Sequence, residues 1–200
     1  MKRLWIFFIL IVLAGGTGKA LSSNNEAAKD SLLQILDTLP ADSSRLEMLY
    51  SLAYLDPMSP SCVYYLGKLL EEATTQDNKY YQCLALYAHV VYYFNHQDEE
   101  NTVIWMDKLS PVALKNNSYS LYFEGKTIHI IKHKIEYSIT QAEEMFKLAQ
   151  KLNNPQGMSS AKLCLMTAYM MTARFKEGEE AGFEAYRLLP PAASLESRKS

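Results

Sequence analysis

Apolar residues recur at intervals of three and four positions along almost the whole chain. This spacing places them on one side of an α-helix, whereas the alternation typical of strands is not sustained anywhere after the first 22 residues. Polar and proline-containing segments interrupt the pattern and supply helix caps and stops. The pattern predicts nine helices, at about 25–39, 44–55, 60–73, 80–94, 99–114, 119–135, 140–152, 157–172 and 176–189. We therefore expect an all-α protein.

The predicted helices form a repeat. Short helices with short connections pack as antiparallel neighbours, so the unit is a helical hairpin. One stripe of small and aromatic residues returns 36 positions later, where Ala142, Phe146 and Ala149 correspond to Gly178, Gly182 and Ala185. Polar turns that are 38 or 39 residues apart lie at Asp77, Asn116 and Asn154. A period in this range is typical of helix-hairpin solenoids.

The last predicted hairpin carries aromatic and small side chains at fixed offsets, followed by a proline. These residues are Tyr169, Ala173, Phe175, Gly178, Ala185 and Pro190. On these residues the segment resembles a tetratricopeptide repeat, although Gly182 stands where that family has an aromatic and Phe183 lies one residue further on. The resemblance implies a right-handed α-solenoid of about four degenerate repeats, which binds a protein or peptide and catalyses no reaction.

The repeat pattern divides the chain into segments. The solenoid is expected over 41–190, in units of about 41–78, 79–117, 118–156 and 157–190, after an N-terminal helix at 23–40. Residues 191–200 have the pattern of a further hairpin that is cut short. A solenoid that ends there leaves the apolar face of its last unit uncovered, so we expect the chain to be a fragment of a longer protein.

The N-terminus has the layout of a secretory signal peptide. Lys2 and Arg3 precede an uninterrupted apolar run at 4–14, and small residues follow up to position 22. Such a run is short for a membrane span, so we predict a signal peptide at 1–22, with an uncleaved signal anchor as the alternative. Either interpretation places the body of the chain in the periplasm or on the extracytoplasmic side of the inner membrane.

This order of segments is similar to the extracytoplasmic sensor part of Bacteroidetes signalling proteins, in which a tetratricopeptide array precedes a membrane helix and a kinase or DNA-binding output. The resemblance implies a periplasmic sensor of a membrane-bound regulator. A free periplasmic scaffold for cell-envelope assembly is the alternative. Contact with a membrane is expected only through the N-terminal signal or anchor, or through a C-terminal part beyond this chain.

In the solenoid that the resemblance implies, the first helix of each unit lines a concave groove for the ligand. On one side of the helix at 119–135 lie four groove candidates, Tyr122, Lys126, His129 and His133. A solvated polar face is the alternative interpretation of these four. The first helix of the last unit adds Ser160, Leu163 and Thr167.

Other chemistry is not supported by the sequence. His129 and His133 have metal-binding spacing but no third ligand nearby, and lysines surround them, so we expect no metal and no cofactor. Ser159 and Lys162 match S-x-x-K without the accompanying motifs, and Gly18-Lys19 lacks the rest of a phosphate loop, so we expect no enzyme. The formal charge of -2, with scattered lysines and arginines, argues against nucleic-acid binding. The three cysteines are expected to be buried, unreactive thiols.

Overall fold

The computed structural model describes residues 29–132 and 135–189. Within these residues the chain forms nine helices and no strand, as the periodicity predicts. They are α1 (29–38), α2 (Ser43–Leu55), α3 (Pro60–Thr75), α4 (Lys79–Asn95), α5 (Glu99–Lys115), α6 (Tyr119–Lys132), α7 (Ile135–Lys151), α8 (Pro155–Met171) and α9 (Phe175–Leu188). In the same ranges, none of the helices combines the length and the apolar character that crossing a bilayer requires. The predicted signal peptide at 1–22 and the predicted further hairpin at 191–200 lie outside the described residues.

The prediction of a helix that begins near Thr140 is wrong. The helix α7 begins at Ile135, five residues earlier, and α6 ends at Lys132. No Gly, Pro or Asn occurs at 135–139 to mark a break in the sequence. The packing decides the position instead, because the Ser138 hydroxyl donates a hydrogen bond of 2.9 Å to the Ile130 carbonyl and holds the two helices together.

Five of the connections between consecutive helices share one backbone geometry. Each contains a non-glycine residue with positive φ, namely Asp77, Gln97, Asn117, Asn153 and Ala173. The N–H of the next residue returns to a carbonyl in the last turn of the preceding helix, as in the 2.8 Å bond from Asn78 to Ala73. The Asn78 side chain then caps the following helix by accepting from the Tyr81 N–H. A single residue therefore ends one helix and starts the next, which keeps the connections short.

The helices stack as hairpins in a tetratricopeptide-like solenoid. Each helix from α2 onward contacts the next one in the chain, and in addition α4 contacts α6 and α6 contacts α8. Fully buried alanines lie where neighbouring helices approach closely, at Ala73, Ala113 and Ala149. The first helices α4, α6 and α8 therefore form an inner row, and the second helices α5, α7 and α9 form an outer row.

Two apolar clusters make up the core and meet at α4. One extends from Leu36 to Tyr92, and the other extends from Cys83 to Ala181. Cys83, Leu86 and Val90 on α4 belong to the second cluster, whereas Ala85 and Ala88 belong to the first. Because α4 is buried on both sides, the helices that it contacts are held in a fixed position relative to each other.

A buried histidine links α4 to α5. His89 is almost fully buried, and its ring is stacked on Trp105 with a centroid distance of 3.8 Å. Its Nδ1 lies 2.8 Å from the Ala85 carbonyl. The Lys108 ammonium lies above the other ring, 3.9 Å from the Trp105 centroid. Burial lowers the pKa of His89, and the charge of Lys108 lowers it further, while the hydrogen bond to Ala85 opposes the change.

We expect this histidine to make the fold sensitive to acid. Below an ordinary histidine pKa of 6.5, the unfolded chain binds a proton that folded His89 does not bind, so the free energy of unfolding falls as pH decreases through this range. The slope from one such group is at most about 1.4 kcal/mol per pH unit. Urea unfolding at pH 7.5 and 5.0 measures it. The variant His89→Gln should lose less stability on acidification than the wild type does, and an equal loss in both proteins would contradict the assignment.

Candidate binding surface

The exposed sides of α4, α6 and α8 lie next to each other and form one surface, which we call the inner face. On α4 it carries Tyr80 and Tyr87, and on α6 it carries Glu124 and Ile131. On α8 it carries Leu163 and Thr167, both exposed. A cavity of about 30 Å³ lies between α6 and α8, and its lining includes Ile131, Thr167 and Met171. It holds no more than about one water molecule, so the inner face is a surface for contact and not a deep ligand pocket.

Tyrosines dominate the end of the inner face near α2. The ring centroids of Tyr50 and Tyr54 on α2 are 4.6 Å apart, and burial raises the pKa of both hydroxyls. Burial raises the pKa of Tyr87, and the negative charge of the nearby Glu124 carboxylate raises it further. Tyr80 lies close enough to Tyr50 to raise the pKa of that hydroxyl as well. The hydroxyls of Tyr50, Tyr54 and Tyr87 are therefore neutral at any physiological pH.

Three of the predicted groove residues lie on the inner face. Ser160 is half-buried, Leu163 is 45% exposed and Thr167 is exposed. Their spacing of three and four positions puts all three on one side of α8. The binding role of these residues stays a prediction, but their side chains are accessible to a ligand.

The other predicted groove residues on α6 point elsewhere. Successive residues of a helix are rotated by about 100°, which puts Tyr122, Lys126 and His129 on the side of α6 opposite Glu124 and Ile131. Tyr122 and His129 are buried. Lys126 donates a 2.6 Å hydrogen bond to Gln141 on α7, and burial lowers its pKa against the opposing charges of Glu144 and Asp107. His133 lies outside the described residues.

The sequence predicts that the side of α6 with Tyr122, Lys126 and His129 lines the groove, and the structure shows that this side is packed. Tyr122, Lys126 and His129 share one side of the helix, as their spacing requires, but that side packs between the outer helices α5 and α7. Their contacts are the packing contacts of a hairpin interior. The inner face of α6 is made instead by Glu124, Thr127 and Ile131.

The motif-like pair Ser159 and Lys162 has a structural role. Ser159 is buried inside α8 and donates a 2.9 Å hydrogen bond to the Ala185 carbonyl on α9. Lys162 pairs with Glu184 of α9, and its ammonium lies 4.6 Å from the centre of the Phe146 ring. Ser159 lies within α8, which begins at Pro155 and is capped by Asn154. Both residues join helices instead of forming a nucleophile and its base.

Other reactive groups are also engaged in packing. All three cysteines are free and buried, as predicted, and burial raises the pKa of Cys62 and of Cys164 to about 11. A thiol with such a pKa is a poor nucleophile at neutral pH. Within 29–132 and 135–189, no group of three His, Cys, Asp or Glu side chains could hold a metal ion.

A larger cavity of about 220 Å³ lies at the edge of the solenoid, where α4 begins and α5 ends. The residues that line it are Lys79, Gln82, Pro111, Val112, Lys115 and Asn116. Lys79 pairs with Asp77, and the Gln82 amide donates to the Ala73 carbonyl at 3.0 Å. These polar groups serve the adjoining turn, so the inner face is the better candidate for ligand binding.

Sequence reasoning missed Glu124 of the inner face, and it missed Tyr50 and Tyr54, which lie on α2 beside that face. The sequence does contain a signal for Glu124. The stripe of residues on α7 that ends at Ala149 repeats in the last unit, so equivalent positions of the two units can be matched. Counting back 25 positions from Ala149 gives Glu124, just as counting back 25 positions from Ala185 gives Ser160. Tyr50 and Tyr54 had no such signal, because the unit at 41–78 matches the repeat pattern only in outline.

A solved structure has a similar fold. It is the crystal structure of a signal transduction ATPase with numerous domains (STAND) protein with a tetratricopeptide repeat sensor, from Pyrococcus horikoshii. The TM-score is 0.61 with 14% sequence identity, over 82% of this chain and 28% of that chain. No protein-family model and no curated protein matches the chain. The similarity at this identity concerns the fold, which is that of a tetratricopeptide-like α-solenoid.

Proposed function

We propose that this chain is a non-enzymatic module that binds a protein or peptide along its inner face. The fold is typical of modules that bind proteins, and the structure with a similar fold is described as containing a tetratricopeptide repeat sensor. The observation that carries the proposal is the accessible row of side chains across α4, α6 and α8. It combines tyrosine hydroxyls, one carboxylate and exposed aliphatic groups such as Ile131 and Leu163.

The physical character of this surface suits an extended polypeptide. Tyrosines provide large contact areas with little loss of conformational entropy, and their hydroxyls can bond to a peptide backbone. Aliphatic side chains such as Leu163 accept apolar side chains of the ligand. A solenoid holds such groups on rigid helices over a length that several consecutive residues of a ligand can follow.

We further propose that the module is exported and acts as the periplasmic sensor of a membrane-bound regulator. The layout of residues 1–22 supports export, and a sensor described within a longer signalling protein supports the second part, since this chain spans 28% of that protein. The alternative is a free periplasmic scaffold. A gene that continues past codon 200 into a membrane span and a kinase or DNA-binding region favours the regulator, and a stop codon there favours the scaffold.

A peptide selection tests the binding function. A phage library of random nonapeptides is selected on the chain from residue 23 onward, and selected peptides are measured by fluorescence anisotropy. We expect Leu163→Asp, at a 45% exposed position of the inner face, to weaken binding at least tenfold. Ile104→Asp is the matched control, because Ile104 is 41% exposed on the outer helix α5. If no peptide is selected, or if both variants weaken binding equally, the proposal fails.

A further inference from the structure

The cavity where α4 begins and α5 ends has room for a small ligand. Its volume is about 220 Å³. For comparison, an engineered protein cavity of about 150 Å³ is large enough to bind benzene. Pro111 and Val112 contribute apolar side chains to the lining, while Lys79 of α4 and Lys115 of α5 each contribute an ammonium group. A suitable ligand therefore combines a small apolar part with a group that accepts hydrogen bonds from lysine.

The charge of this cavity is positive. Among the described residues that line it, none is acidic. Asp77, which pairs with Lys79, offsets one of the two positive charges, but the side chains of this pair are 77% and 51% exposed, so solvent screens the pair and Lys79 can also contact a ligand. Lys115 has no carboxylate partner in the described part of the chain. The single positive charge that remains favours a ligand with one negative charge.

Two amide side chains complete the lining and differ in how they are engaged. The Gln82 amide already donates to the Ala73 carbonyl at 3.0 Å. The Asn116 amide nitrogen lies 3.8 Å from the Cys83 Sγ, which is a weak acceptor. Because an amide nitrogen carries two hydrogens, Asn116 can still donate to a ligand. Asn116 and its neighbour Lys115 therefore offer donors that the adjoining turn does not use.

The next hairpin shows which residues make this cavity polar and open. Gln82 is the fourth residue of α4, and Tyr122 is the fourth residue of α6. In the same way, Asn116 directly follows α5 and Leu152 directly follows α7. Tyr122 and Leu152 both pack in the second apolar cluster. The polar cavity is therefore a feature of the α4–α5 hairpin and does not follow from the repeat.

We propose that this cavity binds a small free carboxylic acid as its anion, with the carboxylate held by Lys79 and Lys115 and the apolar part against Val112. The site is separate from the inner face, so the inference goes beyond the proposed function. A monocarboxylate suits the site better than a phosphate, because the lining has a single net positive charge and an apolar wall beside its lysines.

Benzoate is a suitable probe, because benzamide has nearly the same shape without the charge. Binding is measured by NMR of the valine methyl groups in the chain from residue 23 onward, at low salt. We expect benzoate to shift the Val112 signals with a Kd in the millimolar range, and to leave those of Val103, in the first turns of α5, unchanged. Benzamide should bind about fivefold more weakly, since it lacks the ion pair.

Two lysines at equivalent positions provide matched variants. Lys115 and Lys151 are the last residues of α5 and α7, and both are exposed, so replacing either one has the same effect on the end of its helix. Lys115→Gln should weaken benzoate binding about fivefold, the upper range for one exposed ion pair, and Lys151→Gln should leave it unchanged. Gln82→Tyr, which introduces the residue that α6 has at the equivalent position, should abolish binding by filling the cavity.

Four results would overturn the inference. The first is the absence of a saturable shift at Val112, and the second is equal binding of benzamide and benzoate. The third is equal weakening by Lys115→Gln and Lys151→Gln, which would mean that only the overall charge matters. The fourth is tighter binding of the tripeptide Gly-Gly-Phe than of benzoate, which would assign the site to the end of a polypeptide. Leu163→Asp on the inner face should leave benzoate binding unchanged, so this site and the proposed function can fail separately.

Discussion

Phe123→Ala is expected to lower the free energy of unfolding by about 3–5 kcal/mol, the usual range for a fully buried phenylalanine. The side chain is 1% exposed and lies between α6 and α8, two first helices of neighbouring hairpins. Its removal leaves a cavity at the contact that aligns the inner face. Urea unfolding measures the change. The matched control is Phe183→Ala on α9, because Phe183 is 57% exposed and should contribute less than about 0.5 kcal/mol.

The contact between Phe123 and Gly157 provides a second, independent check. A Cβ atom at Gly157 would come within 2.6 Å of the Phe123 ring, so Gly157→Ala forces that ring to move and should cost about 1–3 kcal/mol. Once the ring is absent, the added methyl group finds space. The double variant Phe123→Ala, Gly157→Ala should therefore be more stable than the sum of the single changes predicts. Strict additivity would show that the two residues are not in contact.

The chain from residue 23 onward is expected to self-associate through its last hairpin. Large apolar side chains are exposed at the end of α8 and along α9, namely Met170, Met171, Phe175, Phe183, Tyr186 and Leu189. Phe175, Phe183 and Tyr186 lie on one side of α9, and Tyr186 is 79% exposed. Exposed apolar surface of this kind marks sites of protein contact. We expect sedimentation velocity to detect association at about 100 µM or below, since weak contacts of this kind bind in the micromolar to millimolar range.

Charge on this hairpin should restore the monomer. The double variant Phe183→Glu, Tyr186→Glu should shift the association to at least tenfold higher concentration without lowering the thermal midpoint by more than a few degrees, because both residues are exposed. Tyr64→Glu, Ile104→Glu introduces the same charges at exposed positions of α3 and α5 and should have no effect. A wild-type protein that remains monomeric at 100 µM would show that this surface does not mediate self-association.

Part of the candidate site follows from the sequence because one register is well marked. In the last unit the small residues Gly178 and Ala185 fix which side of α9 packs on α8, and both are buried there. That register leaves Ser160, Leu163 and Thr167 on the open side of α8, where the structure places them. In the preceding unit the stripe of Ala142, Phe146 and Ala149 gives the same register, which places Glu124 on the open side of α6. The spacing of Tyr122, Lys126, His129 and His133 by itself predicts a shared side of the helix, but it does not show which side of α6 is open.

Spacing alone cannot tell the two sides of α6 apart, since both carry polar groups. Lys126 lies on the packed side because Gln141 accepts its hydrogen bond and its hydrocarbon stem fits between helices. Glu124 lies on the open side beside Tyr87, a residue 37 positions earlier in the chain. A contact of this kind depends on the stacking of hairpins, which a single sequence does not specify.

The sequence by itself determined the helical class, the hairpin repeat and most helix boundaries, because these depend on local periodicity, caps and breaks. Only the tertiary structure decided where α7 begins, which side of α6 faces the inner row, and that Phe123 of α6 packs against Gly157 of α8. The physical reason is the same in each case. Local sequence fixes the backbone conformation of a helix, whereas the rotation of that helix about its axis is set by the neighbours that bury its residues.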